Sequence, residues 1–188
     1  MGLLPAPETW VDSVLAYWFA ELAPSSWFVT DAAIDAAIRT RFLAVHTTIA
    51  ADLDLDATTA SAQRALAGII VLDQFPRNMF RGTARAFATD HVALAIAKAA
   101  VGKRLDTGLT KTERLFFYLP FEHSEVLGDQ QIAVQQIAGL NDAELLRFAT
   151  AHRDIIARFG RFPHRNAMLG RPSTVAEDEF LKLPGSSF

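Results

Sequence analysis

The chain has 188 residues, 51% of them apolar and 21% charged, with a net charge of −3 at pH 7 and no cysteine. Such a length and apolar content suit one folded core and exclude intrinsic disorder. The acidic balance gives no global attraction for nucleic acid or an anionic membrane, and the absence of thiols excludes disulfides, cysteine nucleophiles and thiolate metal sites.

Residues 1–7 carry neither a basic n-region nor an apolar run of signal length, and no stretch approaches the ~20 apolar residues of a membrane span. The expectation is a cytoplasmic protein with a single helical domain over 1–183 and a tail over 184–188. Trp10, Val11, Val14, Leu15, Trp18 and Leu22 recur at three- and four-residue steps and predict a helix over 8–22, broken at Pro24. Thr30 is placed to cap a second helix, whose stripe is Ile34, Ile38, Phe42, Val45 and Ile49. A polar turn is expected over 52–59. A third helix carries Ala62, Leu66, Ile69, Ile70 and Leu72 and is expected to end at Pro76. Residues 68–72 would also pass for a buried strand, but no partner run exists for it.

A further helix runs from Ala84 or Asp90 to Val101, closed by Gly102. Thr110 and Glu113 have capping-box spacing and start a helix through Phe116 and Leu119, with Pro120 expected to kink or stop it. Ser124 to Gly139 reads as the next helix. Asp142 and Glu144 precede another that carries Leu145, Phe148, Ile155, Ile156 and Phe159 and ends at Gly160. Thr174 and Glu177 cap a last short one. The expected class is therefore all-α, with seven to eight helices packed as antiparallel pairs.

The segment Phe75-Pro76-Arg77-Asn78-Met79-Phe80-Arg81-Gly82 is echoed, with single-residue gaps, by Phe162-Pro163-His164-Arg165-Asn166-Ala167-Met168-Leu169-Gly170-Arg171. Together with Leu72-Asp73-Gln74 before the first segment and Phe116-Phe117-Tyr118-Leu119-Pro120-Phe121-Glu122-His123-Ser124-Glu125 between the two, these stretches resemble the bacterial domain-of-unknown-function 924 family. The resemblance covers essentially the whole chain. It implies an all-helical, tetratricopeptide-like array and no established activity, substrate or cofactor.

Arginine outnumbers lysine 14 to 4, and half of the arginines lie in two short stretches. Guanidinium forks match carboxylate and phosphate oxygens in bidentate fashion. Arg77, Asn78 and Arg81 form one candidate anion-binding unit. His164, Arg165, Asn166 and Arg171 form the other. Pairing with Asp73, Asp90, Glu122, Glu125 or Asp154 inside the fold is the competing reading, since buried charges are usually paired. Glu122 and His123 are candidates for general acid–base chemistry, as a carboxylate beside an imidazole titrates near neutrality. On a continuous helix Glu122 and Glu125 would share a face. A mixed histidine–carboxylate metal site from His123, His152 and His164 has no closely spaced ligand pair behind it, and no metal is expected. His152 reads as a structural histidine. Phosphate-loop, dinucleotide and serine-elbow fingerprints are absent.

Beside a metal-dependent enzyme using His123, His152 and His164, two functions remain open at this level. One is a pocket for an anionic small molecule, with proton transfer by Glu122 or His123. The other is a helical scaffold that holds an acidic peptide or protein partner. The cofactor is unknown.

Overall fold

The computed structural model describes residues 9–186. The targeting region 1–7, the first residue of the helix expected over 8–22 and the last two of the tail 184–188 lie outside the described residues. The protein is all-helical, and no strand occurs among the described residues. The chain gathers into two compact units. One is Met1–Arg81 with Arg85–Pro120, the other Gly82–Ala84 with Phe121–Phe188.

In the first unit, α1 (Thr9–Ala16) buries Trp10, Val11 and Val14 and continues into a π-turn, Tyr17–Glu21, that buries Tyr17 and Trp18. Helix α2 (Ala32–Ala51) is capped by Asp31 rather than Thr30. The Asp31 carboxylate accepts from the N–H groups of Ala33 and Ile34 at 2.8 and 3.1 Å. Ile38, Phe42 and Val45 form its buried stripe. The polar segment 52–59 is not all turn, because Asp54 caps a short helix, α3 (Leu55–Thr58).

Helix α4 (Ala62–Ile69) does not stop at Pro76. It widens into a π-turn, Ile70–Gln74, and the chain stays helical through α5 (Phe75–Met79). Pro76 has no N–H to give to the preceding turn, and the Leu72 carbonyl four residues before it accepts instead from the Thr89 hydroxyl at 2.6 Å. The strand-like run 68–72 is helical, and every residue in it is buried. A helix covered on all sides shows no periodicity to read.

Helix α6 (Asp90–Gly102) follows a 3₁₀ turn, Ala84–Phe87. Thr110 and Glu113 cap α7 (Lys111–Glu122) reciprocally, and Pro120 lies inside that helix without ending it. Buried Tyr118 donates its hydroxyl hydrogen to Asp106 Oδ2 at 2.6 Å. Burial and that acceptor push the phenol up to about 12, so this pair is a structural brace.

In the second unit, residues 123–126 leave the helix, so α8 (Leu127–Ala138) begins later than the expected Ser124. A short turn joins it to α9 (Ala143–Phe159), which makes a helical hairpin. Asp142 caps α9, and Gly160 ends it with a φ of 70°, which a side chain would resist. A 3₁₀ turn, Pro163–Arg165, and α10 (Val175–Leu181) complete the unit. Its core is Ile155, Ile156 and Phe162, packed by Phe159 and Phe180.

Candidate functional site

The arginines of the first segment are engaged by carboxylates. Arg77 straddles Asp90, with Nη1 and Nη2 donating to its two oxygens at 3.0 and 3.1 Å. Nη1 also donates to the Asp73 carbonyl and lies 3.4 Å from the Asp73 carboxylate, whose side chain is fully buried. Arg81 chelates Asp35 through Nε and Nη2, both at 2.8 Å, and Asn78 donates to the same carboxylate at 2.8 Å. Burial alone would raise the Asp35 carboxyl, but the hydrogen bonds from Arg81 and Asn78 outweigh it and hold it below its ordinary value.

The second segment repeats this pattern. Arg171 chelates Glu125 at 2.7 and 3.0 Å, donates to the Phe162 carbonyl at 3.1 Å, and reaches Asn166 Oδ1 through Nε at 3.0 Å. Glu125 also accepts from the Phe162 N–H at 2.8 Å. Burial opposes its ionisation, yet Arg171 and that N–H keep it ionised below the usual range. Arg161 chelates Glu177, which is held down to about 2 by that fork, against burial and with help from the Thr174 cap. The sequence echo therefore has local content. In each copy Phe-Pro leads to an Asn that hydrogen-bonds within an arginine–carboxylate chelate. Beside each chelating arginine stands a left-handed glycine, Gly82 with φ 75° and Gly170 with φ 65°.

The end of α7 carries the groups suited to chemistry. Glu122 does not meet its neighbour His123. Its Oε1 lies 3.0 Å from Nδ1 of His152, which comes from α9, and both side chains are buried. The same Nδ1 lies 2.9 Å from the Phe148 carbonyl oxygen. Two acceptors at one ring nitrogen place the proton on Nδ1, so the basic lone pair of neutral His152 belongs to Nε2. Glu125 does not share a helix face with Glu122, because the helix ends at Glu122.

His123 and His164 stand around this pair. The His123 ring centroid is 6.5 Å from that of His152, and Phe162 packs edge-on to His152 at 5.6 Å and tilted to His164 at 5.5 Å. Both outer histidines are half-buried. Burial, followed by the charge of Arg165 and the neighbouring histidines, lowers His164 to about 4 and keeps it neutral at pH 7. Arg165, itself buried, lies over the Phe162 ring at 4.5 Å and donates to the His123 carbonyl at 3.1 Å. Gln130 of α8 donates to the carbonyls of Glu122 and Ser124 at 2.6 and 2.7 Å. Three consecutive carbonyls, 122 to 124, thus receive side-chain donors, and the backbone that carries His123 is fixed from two elements.

The family model for bacterial proteins of unknown function DUF924 matches residues 14–185. The chain belongs to this family. A solved structure of a protein of unknown function from Agrobacterium tumefaciens is similar at 40% identity, covering 93% of this chain and 97% of that one, with a TM-score of 0.87. No match is found among curated proteins.

In this DUF924 member the second unit brings Glu122, His123, His164 and Arg165 around His152, which the sequence reads as a structural histidine. His152 lies 30 positions from Glu122, and neither periodicity nor a motif links them. The only available signal was its place on α9, eight positions before the left-handed Gly160. No group of three or more His, Asp or Glu side chains able to hold a metal occurs among the described residues. A shallow open depression of about 520 Å³ lies elsewhere in the second unit, over Arg158, Arg161, Thr174 and Glu177.

Proposed function

We propose that the protein binds a small anionic molecule at the histidine cluster of its second unit and performs proton transfer on it. His152 is the acid–base group. Glu122 fixes its tautomer and stabilises its protonated form, as a buried carboxylate does for a catalytic imidazole. His123 and neutral His164 supply further hydrogen-bonding edges, and Arg165 supplies the cation that favours an anionic substrate. Arg77, Asn78, Arg81, Asn166 and Arg171 serve this reading as braces. Their hydrogen bonds go to groups of the chain itself. The supporting observation is the buried 3.0 Å contact between Glu122 and His152, with Nδ1 held by two acceptors.

The test is a panel of phosphorylated and carboxylated metabolites incubated with the protein and followed by NMR for turnover, with thermal shift for binding. A ligand at ~100-fold its dissociation constant adds ~2.7 kcal/mol of stability. Turnover by the wild type that His152→Asn abolishes, with ligand-induced stabilisation retained, supports the assignment. Absence of both turnover and stabilisation across the panel overturns it.

The scaffold reading draws on a different observation. Leu127 and Ile132 of α8 and Phe148 of α9 are 41%, 37% and 38% exposed on the helical hairpin. A tetratricopeptide-like use of that hairpin predicts that acidic peptides with apolar anchors bind it. Such binding would be lost on Ile132→Asp and unaffected by His152→Asn.

A further inference from the structure

Two arginines of the first unit differ from the rest. Arg39 of α2 has a single hydrogen bond, from Nη1 to the Met79 carbonyl at 2.8 Å, at the C-terminal end of α5. Arg85, in the 3₁₀ turn, has its guanidinium carbon 3.9 Å from the centroid of the Phe80 ring, and that of Arg39 lies 5.7 Å from the same centroid. Neither makes an ion pair among the described residues. The acid one turn before Arg39 on α2, Asp35, is taken up by Arg81 and Asn78. Phe80 is buried while both arginines are exposed, so the ring is a platform that holds two guanidinium groups toward solvent.

Two further features adjoin it. An open depression along α2 begins at Arg39 and runs over Thr40, Leu43 and Thr47. Beneath the platform, His46 packs edge-on to Phe80 at 5.6 Å. His46 is 8% exposed, and its Nδ1 has no hydrogen-bond partner among the described residues. Burial, then the charge of Arg85, lowers its pKa.

We infer that Arg39 and Arg85, gathered on Phe80, bind the dianionic head of a phosphomonoester whose body lies along the α2 depression. Two positive charges without carboxylates match a dianion, whereas a monocarboxylate leaves one uncompensated. Planar forks match the edges of a tetrahedral oxyanion. Stacking on a ring orients the forks in advance, so little side-chain entropy is lost on binding. Apolar Leu43 and the threonine methyls suit a compact organic body rather than a second charge. This site is independent of the histidine cluster.

The test is calorimetric titration with phenyl phosphate, inorganic phosphate and acetate at low salt. The variants are Arg85→Gln and Arg39→Gln, with Arg158→Gln as control. Arg158 is also exposed and stacked on an aromatic ring, at 4.6 Å from Phe159, but has no second arginine at that ring. Charged hydrogen bonds of this kind correspond to about tenfold to a hundredfold in affinity. Phenyl phosphate is expected to bind most tightly and acetate at least about tenfold more weakly than phosphate. Each of the first two variants should lose about tenfold or more, and the control nothing. A second readout is NMR of the His46 ring, which should titrate at higher pH with phosphate bound, because the anion offsets Arg85. Equal affinity in wild type and Arg85→Gln, equal affinity for phosphate and acetate, or no binding overturns the inference.

Discussion

Replacing Arg77 separates a bracing arginine from a ligand-binding one. The guanidinium sits between Asp90 and the fully buried Asp73 carboxylate, and its side chain is 22% exposed. Breaking a buried pair by removing one partner costs ~3–5 kcal/mol, because a charge stays behind without its counterion. The partial exposure of Arg77 and Asp90 puts this case at the lower end, about 3 kcal/mol. For a chain of this size that corresponds to a fall of roughly 6–12 °C in melting temperature. Arg77→Met is the cleaner variant, since it keeps most of the aliphatic stem and removes the charge. Urea unfolding followed by circular dichroism gives the free energy, with an unchanged slope showing that the unfolded state is the same. A loss within the ordinary surface range of about ±0.5 kcal/mol refutes the bracing argument.

Other expectations follow from the same geometry. Glu177 has a folded-state pKa of about 2 against an ordinary 4.5, so the stability it contributes is fully present above pH 4.5 and disappears as pH falls toward 2. Arg161→Gln should lower stability at pH 6, and its acid-unfolding curve should meet that of the wild type near pH 2. His164 is depressed to about 4, so the unfolded chain takes up its proton first and stability declines as pH falls from 6.5 to 4. His164→Phe should flatten that part of the profile, and proton NMR should show a neutral His164 ring at pH 5. Asp142 accepts from the N–H groups of Glu144 and Leu145, so Asp142→Ala should cost about 1 kcal/mol in urea unfolding, and Asp142→Asn much less.

The fold was legible where one helix face is buried and the other is wet. Ile38, Phe42 and Val45 on α2 show their stripe because the opposite face meets water. The π-turns were not legible. Tyr17–Glu21 and Ile70–Gln74 lie where the helix is enclosed, and widening by one residue leaves no mark in an apolar run. Proline misled in two ways. Pro76 begins a helical turn rather than ending one, and Pro120 lies inside α7, two residues from its end. Each removes one helical donor, and at Pro76 the freed Leu72 carbonyl is taken up by the Thr89 hydroxyl. At the site, Glu122 and His123 are adjacent but point apart, and both come near His152 rather than meeting each other. The Glu122–His152 contact depends on how α9 packs against the end of α7. Spacing along a chain does not encode that packing.

The excess of arginine over lysine has a mechanical reading here. Arg77, Arg81, Arg161 and Arg171 each bridge both oxygens of one carboxylate. Three of the four also join that carboxylate to a backbone carbonyl or an asparagine. A lysine ammonium can reach the carboxylate but cannot hold two oxygens in a plane and a third acceptor at a set angle. The chelates involve irregular backbone: Arg161 and Arg171 flank 162–171, and Arg77 and Arg81 flank the start of 80–90. These segments hold only short 3₁₀ turns and scattered backbone bonds, so the arginine forks add cross-links to those that the backbone makes. Arginines committed to this work are poor ligand binders, since an incoming anion would have to displace a carboxylate already in place. Arg39 and Arg85, which share the Phe80 ring, have no such carboxylate among the described residues, and the inferred phosphomonoester site draws on that difference. A ring orients a guanidinium without neutralising it, whereas a carboxylate does both.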